Sequence, residues 1–517
     1  MSSRRLRIAF IHPDLGIGGA ERLVVDAALG LQKLGHSVDI FTSHHDRGHC
    51  FEETRDGTLR VHLVSSPFPR AIKGKLHVLF SHARQLHLTR YLLSSSMPSF
   101  DVYFVDLLPT CIPFLRLGAH TRVLYYCHFP DKLMSGGAYV EGARPKGSLL
   151  KRIYRLPMDA VEEIATRQAD TILVNSNFTK GVFKRHFPSV QATPRVVYPG
   201  INLDTYKPVD VNLGDADITS ILSDRPTLLS VNRFESKKNA ALAIDSFALL
   251  RGKLHRAPSR KTRLVLAGGY DPRLMDNVKT LQSLLDGAKA HGLTYAITTP
   301  SNSTVALPSL PSTSEAEVAD IVFLLNFSTA QRSALLTSPS TLALLYTPTN
   351  EHFGIGPVEG MVCGLPVLAC NSGGPTESVV DEPASERTGW LRPPKPDVWA
   401  EALVEIVDLP AEGRAQLAER AKRRAREKFG MEAMARDMEQ ALQETFAMGR
   451  VPTPLAIWFA LALLFVVVAY ALVPFETVLQ LIVQLQYSRF QSSNNIISIG
   501  IVNMMIVVGF GEQVSEG

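Results

Sequence analysis

Short runs rich in apolar residues recur along the N-terminal part of the chain, each long enough for one strand. They lie at residues 6–11, 37–42, 60–64, 102–105, 122–126, 171–174 and 195–198. Between the first two runs, apolar residues recur every three or four positions over 23–34, which is the spacing of a helix. Strands that alternate with helices predict a parallel sheet with helices on both faces.

A second series of the same kind follows a segment rich in Asp, Pro and Ser. Its runs lie at 227–231, 264–267, 321–325, 342–346 and 366–369. Two such series predict an α/β protein with two doubly wound, Rossmann-like domains. We place these domains at 1–205 and 225–430, with a linker at 206–224 and a further helix at 431–448. Ligands of such sheets bind beyond the carboxyl ends of the strands, so the active site should lie in the cleft between the domains.

The C-terminal part of the chain contains an uninterrupted apolar segment. Residues 455–473 carry no charged side chain, and a helix of that length spans about 28 Å, close to the ~30 Å hydrocarbon core of a bilayer. Arg450 and the seven Lys or Arg residues of 414–428 precede it, which predicts that its N-terminal side faces the cytosol. We expect one transmembrane anchor, with a buried core helix as the alternative. In the tail at 474–517, the apolar run 496–510 is too short for a comfortable span, and a re-entrant segment is left open.

Composition supports a globular body in a reducing compartment. The chain has 517 residues, 45% of them hydrophobic, and a net charge of +5. Its five cysteines are scattered and form no CxxC pair, which argues against a disulfide framework and against a zinc site. The first apolar run follows the start so closely that we expect no signal peptide. We therefore expect three glycosylation sequons to be unused, those at Asn177, Asn302 and Asn326.

The most informative motif is the acidic loop at residues 350–359. Glu351 and Glu359 flank a glycine-containing turn, and Pro357 is expected at the first helical position, which places Glu359 in the first turn. The main-chain N–H groups expected to face a phosphate are those of Phe353, Gly354 and Ile355. Carboxylates accept hydrogen bonds from sugar hydroxyls, so the loop predicts a sugar-nucleotide site. The alternative is a solvated helix start with two surface glutamates.

Basic and glycine-rich motifs at other strand ends extend this site. Arg233 and Lys238 are five positions apart where a strand gives way to a helix, and two cations there can clamp a diphosphate leaving group. His128 follows another strand, and its imidazole can hydrogen-bond a sugar hydroxyl. Two further glycine motifs also follow strands, at Gly18-Gly19 and at Gly268. The first lacks the third glycine of a dinucleotide-binding fingerprint, which disfavours NAD.

The stretch from 57 to 100 contains no Asp or Glu but carries several basic residues among apolar ones. It predicts a surface for an anionic membrane or a lipid pyrophosphate, and the alternative is a solvated helix face. The residues assigned to that surface are Arg70, Lys73, Lys75 and Arg84. No motif supports nucleic-acid binding. We expect no metal site, because Asp215 and Asp217 lie in the linker instead of at a strand end.

The glutamates at 351 and 359, with the strings at 18–21, 126–131, 232–239 and 347–353, resemble the retaining glycosyltransferases of family 4. The resemblance runs from about residue 7 to about residue 446. It implies a GT-B fold in which 1–205 binds the acceptor, 225–430 binds the donor, and 431–448 crosses back to the first domain. It also implies that Arg233 and Lys238 hold the donor diphosphate, that Gly18 and Gly19 flank it, and that no metal or other cofactor is needed.

The longer strings resemble one branch of that family, which implies a specific activity. The enzyme would move mannose from GDP-mannose to a dolichol-pyrophosphate oligosaccharide, in an α-1,3 and then an α-1,6 linkage. It would work on the cytosolic face of the endoplasmic reticulum membrane, with other early mannosyltransferases as partners. Two alternatives are another member of the family, such as a phosphatidylinositol mannosyltransferase, and an inactive membrane scaffold.

Overall fold

The computed structural model describes residues 4–72, 76–134, 149–206, 215–253, 261–303, 305 and 312–452. Residues up to Val451 belong to one unit and the remainder to a second. The expected anchor at 455–473 and the tail at 474–517 lie outside the described residues. Across the ranges just given, no helix is long and apolar enough to cross a membrane.

The first half of the described chain forms a seven-stranded parallel sheet in the order β3-β2-β1-β4-β5-β6-β7. The strands are β1 (Arg7–His12), β2 (Ser37–Thr42), β3 (Arg60–Leu63), β4 (Val102–Asp106), β5 (Arg122–Cys127), β6 (Thr171–Val174) and β7 (Arg195–Val196). In the register of β1, Ile8 pairs with Val38 of β2 and Val102 of β4. Ile8 and Ile11 join core clusters on opposite faces of the sheet. Burial on both faces explains the nearly continuous apolar runs.

The second half forms another seven-stranded parallel sheet, in the order β10-β11-β9-β8-β12-β13-β14. The strands are β8 (Thr227–Val231), β9 (Arg263–Gly268), β10 (Tyr295–Thr298), β11 (Ile321–Leu325), β12 (Thr341–Tyr346), β13 (Val367–Cys370) and β14 (Gly389–Arg392). The sequence predicted the five inner strands but not the edge strands β10 and β14. Edge strands are only partly covered, so they carry polar residues that interrupt an apolar run.

Helices cover both sheets. Those that follow strands of the first sheet are α1 (Gly19–Lys33), α2 (His77–Leu92), α3 (Ile112–Ala119), α4 (Asp131–Met134), α5 (Leu149–Thr166) and α6 (Asn177–His186). Those of the second half are α7 (Ala216–Thr219), α8 (Ala241–Lys253), α9 (Met275–Ala290), α10 (Thr329–Thr337), α11 (Ile355–Val362), α12 (Pro375–Ser378), α13 (Pro396–Val407), α14 (Ala411–Phe429) and α15 (Met431–Ala447). Two doubly wound domains of this kind are the predicted fold class.

Helix α15 carries the chain from the second half back to the first. It packs against α1 so closely that a Cβ atom on Gly30 would lie 2.6 Å from the Cβ of Ala435. His36 and Glu439 form a hydrogen bond of 3.1 Å across the same contact. The two halves are therefore joined by a packed helix as well as by the residues between β7 and β8.

Candidate active site

The acidic loop lies between β12 and α11. Helix α11 begins at Ile355 after Gly354, whose φ of 83° suits glycine. Pro357 is thus the third helical residue and Glu359 lies in the second turn, so the prediction that Pro357 starts the helix was wrong. The helix starts earlier because the turn lies against the ring of Tyr346, where a Cβ at Gly356 would be only 2.9 Å from a ring carbon.

Glu351 and Lys238 meet in the cleft although 113 positions separate them. The Lys238 Nζ atom lies 2.5 Å from Oε2 of Glu351, and both side chains are largely buried. Burial acts to raise the pKa of Glu351, but the Lys238 ammonium outweighs it and lowers that pKa. The Thr347 hydroxyl donates to the Lys238 carbonyl at 2.7 Å. A cation and a carboxylate are thus fixed side by side beyond the ends of β8 and β12.

Arg233 does not contact this pair in the described structure. Its side chain is 64% exposed and pairs with Glu235 at 2.9 Å, and Lys237 pairs with the same carboxylate at 3.0 Å. The sequence analysis did not assign Glu235 a role. Gly268 has a structural reason to be glycine, because a Cβ there would overlap the carbonyl of Asn232. Its absent side chain lets the ends of β8 and β9 approach closely.

Glu359 is held by two residues that the sequence analysis missed. Tyr206 donates its hydroxyl to Oε1 at 2.6 Å, and Arg332 donates to the same oxygen at 3.1 Å. Neither partner belongs to a motif, so only the fold brings them to Glu359. A cavity of about 440 Å³ opens beside them. Its lining includes Glu359, Ile355 and Arg332 from the second half and Ile17, Gly18 and Arg22 from the first.

The glycine motif that follows β1 therefore adjoins the cavity beside Glu359. Gly18 caps α1 in an extended conformation, and Gly19 is its first residue. A Cβ on Gly18 would overlap the flexible carboxylate of Glu21, whereas one on Gly19 would meet nothing within 4 Å. Gly18 lines the cavity beside Glu359.

His128 belongs to a buried cluster at the ends of three adjacent strands. Its Nε2 atom lies 2.8 Å from Oδ1 of Asp106, and the Nδ1 atom of His12 lies 2.7 Å from Oδ2 of the same carboxylate. Burial acts to raise the pKa of Asp106, but His128 and His12 together lower it to about 2. His12 and Asp106 were not predicted, because a single polar residue ending an apolar run carries no motif.

The two halves touch across the cleft next to the acidic loop. The rings of His352 and Phe129 stack with centroids 3.7 Å apart and planes 7° apart. Ser176 donates its hydroxyl to the His352 carbonyl at 2.5 Å. Burial lowers the pKa of His352 to about 4, so its ring is neutral near pH 7. These contacts fix Glu351 relative to the first sheet.

A second bridge between the halves uses one carboxylate. Glu377 accepts hydrogen bonds from the main-chain N–H groups of Asn177 and Phe178, both at 2.8 Å. It also accepts from the Asn177 amide at 2.9 Å and from the Tyr198 hydroxyl at 3.0 Å. The carboxylate thus caps the N-terminus of α6, where anions are stabilised.

The predicted basic surface is corrected by the structure. Arg84 is only 6% exposed and pairs with Asp14 at 2.8 Å, so it lies inside the domain and not on a surface. Arg70 is exposed but pairs with the same carboxylate at 2.9 Å. The prediction was wrong for Arg84, because its neutralising acid lies outside the stretch from 57 to 100. Lys73 and Lys75 lie outside the described residues.

In the part of the chain that the structure describes, no group of three or more His, Cys, Asp or Glu side chains could hold a metal ion. Asp217, one member of the linker pair, accepts from the main-chain N–H and the hydroxyl of Ser301, each at about 3 Å. Asp215 caps the short helix α7. Both linker carboxylates therefore have structural partners.

Two family models match the chain, one for each half. The model "Glycosyltransferase Family 4" matches residues 17–205, and "Glycosyl transferases group 1" matches residues 215–426. Together they include every strand of both sheets except β1, and the cleft residues described above except His12, Asp14 and Tyr206.

Curated relatives match over most of their length and are α-1,3/1,6-mannosyltransferases of fungi. The protein of Rhizomucor pusillus is 44% identical over 448 residues, which cover 86% of this chain and 93% of the relative. That of Schizosaccharomyces pombe is 42% identical, covering 84% and 80%. That of Saccharomyces cerevisiae is 40% identical, covering 84% of each.

Solved structures share the fold at low identity. Sucrose-phosphate synthase from Thermosynechococcus elongatus superposes with a TM-score of 0.62 at 21% identity, covering 86% of this chain and 100% of the other. The catalytic domain of starch synthase IV from Arabidopsis thaliana, bound to ADP and acarbose, gives 0.60 at 14% identity, covering 86% and 100%. At these identities the similarity establishes the two-domain GT-B architecture alone.

Proposed function

This chain belongs to the family of the α-1,3/1,6-mannosyltransferases, and we propose that it transfers mannose from GDP-mannose to a dolichol-pyrophosphate-linked oligosaccharide. It adds an α-1,3 and then an α-1,6 mannose from one site, with retention of the anomeric configuration. The observation that carries this proposal is the Lys238–Glu351 pair, 2.5 Å apart, beside the N-terminus of α11. A cation and the main-chain N–H groups at a helix N-terminus can bind the diphosphate of a sugar nucleotide. A carboxylate beside them can accept hydrogen bonds from the hydroxyls of its sugar.

The chemistry follows from where charge develops. As the bond between mannose and phosphate breaks, negative charge grows on the diphosphate and positive charge on the anomeric carbon. Lys238, with Arg233 turned from Glu235 toward the donor, stabilises the diphosphate. Glu351 accepts from the mannose hydroxyls and faces the positive charge. Preorganised charges of this kind are worth far more in a water-excluded site than in solution.

The acceptor lipid requires that the cleft lie close to a bilayer. Helix α5 exposes Ile153, Leu156 and Ile164, each more than half exposed, at the spacing of one helix face. Helix α2 adjoins it, because the Leu79 main-chain N–H donates to the Tyr154 hydroxyl at 3.1 Å. An apolar helix face of this kind can lie in the headgroup region of a membrane. We propose that it supplements an anchor at 455–473.

A truncated chain can distinguish membrane binding by the proposed anchor at 455–473 from membrane binding by α5. Removal of residues 452–517 should release the chain from vesicles only in part, and Leu156→Asp in that truncated chain should release the remainder. Leu249→Asp is the matched control, since Leu249 is 42% exposed on α8 of the second half. Equal release by both substitutions would show that α5 has no special role.

We place the body on the cytosolic side of the endoplasmic reticulum membrane. Asn326 uses its amide to bridge the main chain of Tyr270, at 2.7 and 2.8 Å. The Asn177 amide donates to Glu377. A glycan on either side chain would break these bonds, which supports a compartment without glycosylation. A mass shift on glycosidase treatment would overturn this placement.

The donor and acceptor can be tested together on the purified full-length chain in detergent. With a dolichol-pyrophosphate trisaccharide we expect transfer from GDP-mannose, with or without EDTA, and none from UDP-glucose or UDP-N-acetylglucosamine. Transfer to phosphatidylinositol instead would favour the other branch of the family. A folded chain that transfers nothing would favour the scaffold. Loss with EDTA and recovery with manganese would contradict metal independence.

A further inference from the structure

Two histidines share one buried carboxylate beneath the cleft. His12 ends β1, Asp106 ends β4 and His128 follows β5, and these strands are neighbours in the first sheet. His12 and Asp106 are fully buried, whereas His128 keeps 16% of its side chain exposed. Only His128 can therefore reach a ligand, and the other two can act only through it.

The hydrogen bonds of His12 determine its protonation. Its Nδ1 atom lies 2.7 Å from the Asp106 carboxylate, and its Nε2 atom lies 3.1 Å from the main-chain carbonyl of Asp14. A carboxylate and a carbonyl only accept hydrogen bonds, so both ring nitrogens must carry protons to satisfy them. Burial acts to lower the pKa of His12, but the Asp106 carboxylate outweighs it and raises that pKa.

We propose that His12 is a buried imidazolium that neutralises Asp106, and that the pair are positioning residues which hold His128 neutral with Nε2–H on Asp106 and Nδ1 as a hydrogen-bond acceptor. This inference rests on the proposed mannosyl transfer. It assigns His128 the role of accepting from a hydroxyl of a bound sugar. An acceptor is what a hydroxyl donor needs, and a second proton on His128 would remove it.

The charge on His12 matters because Asp106 would otherwise act on His128 alone. An uncompensated buried carboxylate stabilises an imidazolium beside it and raises its affinity for a proton. With His12 charged, the carboxylate already has a counter-ion, and His128 has no such reason to protonate.

One other titratable group near the cluster changes charge near neutral pH, because burial raises the pKa of Glu162, which acts on Cys127, to about 7. Glu162 is present in the wild type and in the variants alike, so its titration is common to the profiles that are compared. The groups named next each keep one charge state. Burial raises the pKa values of Tyr126 and Cys127 on β5, so both stay neutral. Burial acts to raise the pKa of Asp14, but the guanidinium groups of Arg84 and Arg70 lower it more, so Asp14 stays ionised. His352, from the second half, is neutral with a pKa of about 4. The remaining group is the Glu21 carboxylate on α1, which adds to the attraction on His12.

The test is the pH profile of kcat for His12→Gln, measured with GDP-mannose and the lipid-linked trisaccharide. The glutamine amide can still donate to Asp106 but carries no charge. The Asp106 carboxylate, without its counter-ion, should then favour a second proton on His128 as the pH falls. We expect a loss of about 2- to 10-fold at about pH 6, the range for losing a hydrogen bond between neutral groups. The rate should recover toward that of the wild type by about pH 8.5, with the KM for GDP-mannose little changed.

A matched control is His36→Gln. His36 is also buried and also bonded to one carboxylate, Glu439, but it precedes β2 and lies at the amino edge of the sheet. Its profile should follow that of the wild type. A folded His12→Gln chain that loses the same factor at every pH, or loses nothing, would overturn the proposal.

Asp106→Asn provides a second variant in case His12→Gln does not fold. It removes the charge that would protonate His128, and the one amide oxygen of Asn replaces the two carboxylate oxygens that bind His12 and His128. We expect kcat to fall by about 10- to 100-fold at all pH values, with no new ionisation. A normal kcat would overturn the proposal. If the wild type transfers no mannose, the proposed function fails instead, so the two failures are distinguishable.

Discussion

At the residue scale, the charged side chains of the cleft are paired with each other. Lys238 is held by Glu351, and Arg332 is held by Glu359. A bound diphosphate offers the cations a stronger partner and leaves the carboxylates for sugar hydroxyls. Donor binding should therefore exchange partners within a site that is already assembled.

Lys238→Ala should leave the fold intact and lower kcat by about 10²–10³, the range for removing one preorganised stabiliser of developing charge. Steady-state kinetics would measure it. Lys237→Ala is the matched control, because Lys237 is 42% exposed and pairs only with Glu235 among the described residues. Equal losses in the two variants would mean that Lys238 has no special place in the diphosphate clamp.

Substitutions of Glu351 and Glu359 should have different effects on nucleotide binding and on turnover. Glu359→Gln should weaken GDP binding by about 1.5–3 kcal/mol, the range for a hydrogen bond to a charged group, because its interaction with the nucleotide is uniform through the reaction. Glu351→Gln should bind GDP nearly normally but lose kcat and kcat/KM together. Titration calorimetry and kinetics would measure both. The reverse pattern would exchange their roles.

A site residue could be predicted from the sequence when it belongs to a recognisable motif, and not when it stands alone. Glu351 and Lys238 each follow a strand in a recognisable string, so the sequence could place both at the cleft. Tyr206 and Asp106 stand alone in the sequence, and only the fold gives them a partner. The prediction of a surface position for Arg84 was wrong because Asp14, its neutralising acid, comes from another strand end.

At the element scale, glycines let two loops of the second half pack against each other. Gly373 has a φ of 71°, and a Cβ on it or on Gly374 would overlap the main chain of the acidic loop, at Glu351 and Phe353 respectively. The loop after β13 thus supports the loop after β12 from behind. The position of Glu351 depends on that contact.

Gly374→Ala should displace the acidic loop, lower stability by about 1–3 kcal/mol as overpacking does, and reduce transfer strongly. Denaturant unfolding and the transfer assay would measure the two effects. Gly287→Ala is the control, because Gly287 lies within α9 and a Cβ there meets nothing within 4 Å. It should gain about 0.5–1 kcal/mol and keep full activity. Normal activity in Gly374→Ala would show that the support is dispensable.

The elements themselves were predictable where burial is complete. Strands covered on both faces read as continuous apolar runs, such as β11 at Ile321–Leu325. The edge strand β14, Gly389–Arg392, has no such run. The start of α11 was misplaced because Pro357 suits a first helical position, yet packing against Tyr346 starts the helix at Ile355.

At the scale of the whole molecule, polar contacts near the cleft join the two halves in addition to the packing of α15 against α1. Glu377→Ala should expose the N-terminus of α6, speed amide hydrogen exchange at Asn177 and Phe178, and cost about 1–3 kcal/mol of stability. Glu382→Ala is the control, since Glu382 is 75% exposed and bonds Arg387 in its own half. An unchanged rate of amide hydrogen exchange at Asn177 and Phe178 in Glu377→Ala would mean that the Glu377 carboxylate does not hold the two halves together.

The central claim is that one cleft between the two sheets makes both mannose linkages. The most direct test is to compare wild type and Lys238→Ala for each addition, using GDP-mannose and a lipid-linked trisaccharide and then its α-1,3-mannosylated product. Mass spectrometry and linkage-specific α-mannosidases would identify the products. We expect two additions by the wild type, both in α linkage, and losses by the same factor of about 10²–10³ in the variant. Loss of one addition with the other unaffected would contradict it.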